Sequence, residues 1–235
     1  MKNNATLHKW ALGVVLGMSL GLTGCATGPD ADPRDPLEPY NRAAYSFNDM
    51  VDEAVLKPLA GGYAYITPDI VDRGITNFFD NLRDVRSAIN NLLQLKIGRA
   101  FSDVGRVAIN STIGILGLMD VASNMNLPSY KEDFGQTLGV WGFDSGPFIV
   151  LPLFGPSSAR DGVGLVADWF TDPVTYIEDD TLRWSLRGLN IVDTRADLLN
   201  ASRVVDEGAL DPYAFIRDAY LQRRQTQVYD GNPPE

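Results

Sequence analysis

From Tyr40 onward apolar side chains recur every third or fourth residue. Tyr40, Ala44, Phe47, Val51 and Val55 define an amphipathic helix that Pro58 is expected to end. Thr67 and Pro68 read as an N-cap and a first-turn proline. After them Val71, Ile75, Phe78, Leu82, Val85, Ile89 and Leu92 keep a strict 4-3 spacing, the strongest periodicity in the chain. Such spacing also marks coiled coils, but Asn77, Asn81, Asn90 and Asn91 crowd the stretch and the pattern stops near Lys96, so packing within the same chain is expected. Asparagine disfavours helix interiors, which predicts a break near Phe78-Phe79-Asp80-Asn81. Ile97, Phe101, Val104 and Ala108 predict another helix, and two more are predicted near residues 160–170 and 192–205. Asp211-Pro212 opens a last one, carrying Tyr213, Ile216, Ala219 and Tyr220 to about Gln227. No stretch alternates convincingly with period two. The predicted class is all-α, with a polar, disordered tail over residues 229–235.

One stretch breaks the helical pattern. Between Asp144 and Arg160 the run GFDSGPFIVLPLFGPSSAR, which starts at Gly142, carries no charge. It is shorter than the roughly 20 apolar residues a membrane-crossing helix needs, and Gly146, Pro147, Pro152, Gly155 and Pro156 forbid one long helix. Its residues alone fit a buried core loop as well as the lining of a wet cavity at membrane depth, where irregular backbone is tolerated.

Composition and charge narrow the function. The chain has 235 residues, 45% hydrophobic and 21% charged, which suits one globular domain or two small ones. Its net charge is −10, and because Lys2 and Lys9 are the only charges in the first 24 residues, removing those residues leaves −12. So acidic a surface argues against nucleic-acid partners and against electrostatic adsorption to anionic lipid.

The start of the chain reads as a lipoprotein signal. Lys2 and Lys9 form a basic region, Trp10 to Gly21 an uncharged apolar one, and Leu22-Thr23-Gly24-Cys25 closes it. Small residues directly before a cysteine form a lipobox, so residues 1–24 are expected to be cleaved and the Cys25 thiol acylated. Two or more acyl chains anchor stably where one is marginal. Ala26, rather than Asp, lacks an inner-membrane retention signal and points to the outer membrane. Residues 25–39, with Pro29, Pro33, Pro36 and Pro39, make an extended spacer to a helical domain over residues 40–228. His8 lies in the cleaved part, so the mature chain has neither histidine nor free thiol. Ser-His-Asp and Cys-His chemistry and zinc sites built from His and Cys are excluded. Asp133-Phe134-Gly135 matches a kinase motif by chance, because the catalytic and glycine-rich loops are lacking.

Several stretches taken in order carry a resemblance: DPLEPYNR from Asp35 with Phe47-Asn48 after it, NFFDNL from Asn77, NLLQ from Asn91, NSTIG from Asn110, DFGQTLG from Asp133, Gly146-Pro147, and LPLFGPSSARD from Leu151. Together they are similar to the VacJ/MlaA lipoproteins of the outer membrane. No single one is specific; the ordered set, reaching about Tyr220, is. Leu116 stands where a second glycine is expected and Val107 where an aromatic is expected.

The resemblance implies short broken amphipathic helices in a ring, lying in the inner leaflet of the outer membrane on its periplasmic face beside trimeric porins. Phospholipids misplaced in the outer leaflet would leave through an amphipathic channel and pass to a periplasmic lipid-carrier protein. No cofactor, metal or bond-breaking step is implied. Phe47 and Asn48, from the matched N-terminal motif, and Gly142, Gly146, Pro147 and Phe148, from the uncharged run, become the candidates for channel or gate. Arg160 and Asp161 read as a helix-start ion pair. No compact basic cluster is visible, so the lipid is expected to be held by its tails. Two other readings are an envelope scaffold that does not transport, and a lipid hydrolase working without histidine.

Overall fold

The computed structural model describes residues 32–234; Cys25 and the expected signal lie outside them. The chain is helical apart from one hairpin. It opens with α1 (Glu38–Val51), a π-helical turn (Asp52–Leu56) and α2 (Lys57–Ile66). Pro58 does not end the first helix. The Lys57 amide reaches back to the Asp52 carbonyl, and this widened turn lets the helical path continue while the proline sits in the first turn of α2. Thr67 closes α2, donating its backbone N–H to the Tyr63 carbonyl, and Pro68 precedes α3 (Asp69–Leu93).

The asparagines do not break α3, which runs through 25 residues. They lie on its buried face instead: Phe79, Asn81, Asp84, Ser87, Ala88, Asn90 and Asn91 are enclosed, while Val71, Ile89 and Leu92 of the 4-3 stripe are exposed. The neighbouring α4 (Ile97–Thr112) repeats the inversion, burying Asp103, Arg106 and Asn110 while Phe101 is 73% exposed. The two helices are joined by polar contacts. Arg106 Nε meets Asp84 Oδ2 at 2.8 Å, and Asp103 Oδ2 accepts from Ser87 Oγ (2.6 Å) and Asn91 Nδ2 (2.8 Å). Burying a charge is tolerated only when it is paired and hydrogen-bonded, and this network meets that condition.

After α4 the chain makes a left-handed turn. Ile115, Leu116 and Gly117 take φ of 55°, 58° and 90°, so Leu116 occupies the conformation for which the resemblance expects glycine. There follow α5 (Val121–Asn124), α6 (Phe134–Val140), the antiparallel strands β1 (Phe148–Leu151) and β2 (Gly155–Ser158), and α7 (Ala159–Thr171). The hairpin escaped the sequence reading because each strand has four residues, too few for alternation to register; only Phe148 and Val150 of β1 point fully inward. A 3-10 turn (Pro173–Tyr176) leads to α8 (Asp180–Asp197), α9 (Leu199–Gly208) and α10 (Pro212–Val228). The helix expected near residues 192–205 is thus two, meeting at Leu198. The tail begins folded back, because Asp230 pairs with Lys96 Nζ at 2.7 Å and with Arg99.

DFGQTLG has a structural use. Asp133 caps α6 by accepting from Gln136 N at 2.9 Å, and its carboxylate takes both Nη atoms of Arg224 on α10. Gly135 backs onto Gly164 of α7 so closely that a Cβ on Gly164 would fall 2.5 Å from the Gly135 nitrogen. The helices packed in this way close a circuit: α1 and α2, then α8, α3, α7, the hairpin, and α1 again. Among the described residues no helix is long and apolar enough to cross a membrane.

Candidate functional site

Inside the circuit lies a cavity of about 270 Å³ bounded by α1, the π-helical turn, the hairpin, α8, α9 and α10. One wall is apolar, with Phe148, Val150, Leu198, Val205, Tyr213 and Ile216. The other is charged, with Asp49, Asp52, Glu53 and Asp206 against Lys57 and Arg195. Arg195 grips Asp52 with Nε and Nη2, each 2.7 Å from a carboxylate oxygen. Burial, then the charges of Glu53, Asp206 and Asp52, push the Asp49 carboxyl above its ordinary range. The wall therefore carries an excess of negative charge.

The hairpin is fastened to α1 by two asparagines two helical turns apart. Asn41, fully buried, donates from Nδ2 to the Phe148 carbonyl (2.9 Å) and accepts from Val150 N (2.8 Å). Asn48 repeats the pattern further along the hairpin, donating to the Leu151 carbonyl (3.0 Å) and accepting from Leu153 N (2.7 Å). A carboxamide has one donor group and one acceptor, so each clamps a peptide edge as a neighbouring strand would. Asn41 Nδ2 is also 2.7 Å from Asp35 Oδ1, and Tyr213 OH bonds the other Asp35 oxygen, so DPLEPYNR is the buckle of this joint.

The structure separates the residues singled out on sequence. Asn48 and Phe148 line the central cavity, whereas Phe47 is half exposed on α1 and does not line it. Gly142 and Gly146 lie at a second cavity of about 700 Å³ against α10, with φ of 93° and 66°. Pro147 is exposed beside them, and its carbonyl accepts from Ala159 N at 3.1 Å. Arg160 and Asp161 form the expected ion pair, 3.0 Å apart, beside the Ser158 cap of α7. Burial alone would raise the Asp161 carboxyl, but hydrogen bonds and charge from Arg224, with Tyr220 and Arg160, hold it down to about 2. Sequence reading missed Asn41, Tyr213 and Arg195. Asn41 lay inside a quoted motif, while the other two are periodic helix residues with no signal of their own.

The absence of a compact basic cluster is also corrected. Arg83 and Arg86, one turn apart on α3, meet Arg187 of α8 around a third cavity of about 100 Å³.

A family model described as MlaA lipoprotein matches residues 33–227. The chain belongs to the MlaA lipoprotein family. It is 33% identical over 230 residues to the intermembrane phospholipid transport system lipoprotein MlaA of Haemophilus influenzae, covering 91% of this chain and 88% of that one. Against the Escherichia coli K12 protein of the same name the identity is 33% over 218 residues, with 89% and 85% covered. A Rickettsia bellii protein of uncharacterized function is 35% identical over 195 residues, 83% of this chain and 76% of its own. A solved structure from work on the structural basis for maintenance of bacterial outer membrane lipid asymmetry superposes with a TM-score of 0.73 at 31% identity. The match covers 83% of this chain and 98% of that one.

Proposed function

We propose that this MlaA-family chain is an outer-membrane lipoprotein that removes mislocalised phospholipids from the outer leaflet through its central cavity, for retrograde transport that maintains lipid asymmetry. The observation that carries the reading is the inverted distribution of side chains. Asp84, Asp103, Arg106 and Asn110 are buried, while Phe101, Val104, Phe154, Val166 and Phe170 are exposed. Soluble monomers rarely expose large contiguous apolar surface, and an acyl-chain environment removes its cost. One leaflet is only about 15 Å deep, whereas the 25 residues of α3 extend about 37 Å, so that helix lies along the membrane and does not stand across it.

Within this reading acyl chains lie against Phe148, Val150 and Leu198, and polar groups of the lipid face the Arg195 side. The hairpin is the movable wall: Asn41 and Asn48 hold it, and Gly142 and Gly146 supply left-handed backbone on its approach. Cys25 carries the acyl anchor on the periplasmic face, a trimeric porin lies alongside, and a periplasmic lipid carrier receives the cargo. No bond is broken.

The test is a strain lacking the protein, in which outer-leaflet phospholipid is expected to rise. Restoring the intact chain reverses the rise, while Val205→Trp, which fills the cavity, is expected not to at equal abundance. Unchanged outer-leaflet phospholipid in the deletion strain refutes the function. Full rescue by the filled variant refutes the route.

A further inference from the structure

The third cavity, between α3, α8 and the 3-10 turn, lies apart from the central one and contains the chain's least satisfied cations. Arg83 is paired with Asp80 and donates to Asn190 Oδ1 at 3.0 Å. Arg86 forms no ion pair within 4 Å among the described residues, and its Nε is buried without a hydrogen-bond partner. Arg187 has a second such Nε; one of its Nη atoms donates to Thr175 Oγ1 at 2.9 Å, and the nearest carboxylate, Asp172, is 3.9 Å away. Its guanidinium carbon lies 3.5 Å from the Trp169 ring centre and 5.5 Å from that of Trp184. Asp168 is the carboxylate acting on Arg86 through space, and its Oδ1 is engaged by Phe134 N at 3.1 Å.

Buried donors left open are costly, and guanidinium groups match tetrahedral oxyanions through paired N–H groups. The geometry points to a binding site for one phosphoryl group, held by Arg86 and Arg187 with Arg83 at its edge. A cavity of about 100 Å³ admits such a group and excludes a whole lipid. Trp169, Phe170, Tyr176 and Trp184 are exposed around it. Trp and Tyr collect at the level of lipid headgroups, so the phosphoryl group belongs to a phospholipid held at the outside of the ring. A free phosphate satisfies the same donors and is the competing source. The site does not depend on the transport reading, since its cations face away from the acidic central cavity.

The experiment uses the full chain in non-ionic detergent, with tryptophan fluorescence recorded during separate titrations with dioctanoyl phosphatidylglycerol, dioctanoylglycerol and inorganic phosphate. The phospholipid is expected to give a saturable change, the phosphate-free diacylglycerol none, and excess phosphate to reverse the phospholipid signal. Arg86→Gln and Arg187→Gln are each expected to weaken binding at least tenfold, and Arg86→Lys to recover part of the loss. Saturable binding of phosphate without phospholipid assigns the site to the free anion and overturns the headgroup source. An equal response to the diacylglycerol, no response to either phosphorylated ligand, or unchanged affinity in both glutamine variants overturns the site. If a variant does not fold, the comparison of phospholipid with diacylglycerol on the unaltered chain decides the question.

Discussion

Asn48 and Leu153 are joined side chain to backbone: Leu153 N donates to Asn48 Oδ1 at 2.7 Å, while the amide of Asn48 holds the Leu151 carbonyl at 3.0 Å. This ties the hairpin turn to α1 at the rim of the central cavity. Replacing Asn48 with Ala removes both bonds where water reaches Leu153, at an expected cost of about 1 kcal/mol. Asn41→Ala, at a position closed to water, is expected to cost about 3 kcal/mol because Asp35, Phe148 and Val150 all lose a partner. Denaturant unfolding of the two variants measures the difference, and hydrogen exchange at Val150 and Leu153 locates it. Equal costs contradict the clamp as described.

Two carboxylates oppose each other in their dependence on pH. Asp161 is held down to about 2 from 3.8, so its contribution, about 2 kcal/mol, is present above pH 4 and lost as pH falls through 2. Asp168 is raised to about 6, chiefly by burial, so the folded state binds its proton more tightly and stability falls as pH rises from about 4 through 6. Asp168→Asn keeps an oxygen for Phe134 N and removes the charge. The variant is expected to gain about 1–3 kcal/mol relative to the unaltered chain at pH 7.5, with the gain vanishing near pH 4. Chemical unfolding at the two pH values checks the sign, and a pH-independent difference contradicts it.

Left-handed backbone gives paired expectations. Gly146→Ala adds a Cβ 3.1 Å from that of Ala159 at φ 66°, and is expected to cost more than Gly142→Ala, where φ is 93° and nothing lies within 4 Å. The first should exceed about 1 kcal/mol and the second fall near it. Leu116→Gly, at φ 58° on an exposed side chain, is expected to stabilise by about 0.5 kcal/mol. Melting temperatures of the three variants test the order.

The apolar exterior predicts membrane affinity beyond the acyl anchor. Full-length Cys25→Ala is expected still to enter the detergent phase on Triton X-114 partitioning, because Phe101, Val104, Phe154, Val166 and Phe170 remain outside. Complete recovery in the aqueous phase would contradict immersion of that surface.

The sequence by itself determined the helical class, the span of α10 from its Asp211 cap and Pro212, the Arg160–Asp161 pair, and through its ordered motifs the family. These depend on local signals: 3.6-residue periodicity, caps and prolines act within a turn or two. Which side of each helix faces inward was decided only by tertiary structure. Periodicity shows that Val71, Ile89 and Leu92 share a face, but not whether protein or lipid meets it, and here the asparagine face turned inward. The same limit hid the hairpin, whose four-residue strands are positioned by Asn41 and Asn48 from far along the chain. It also hid the meeting of Arg83 and Arg86 with Arg187, because charges remote in sequence act together only when packing brings α3 and α8 side by side.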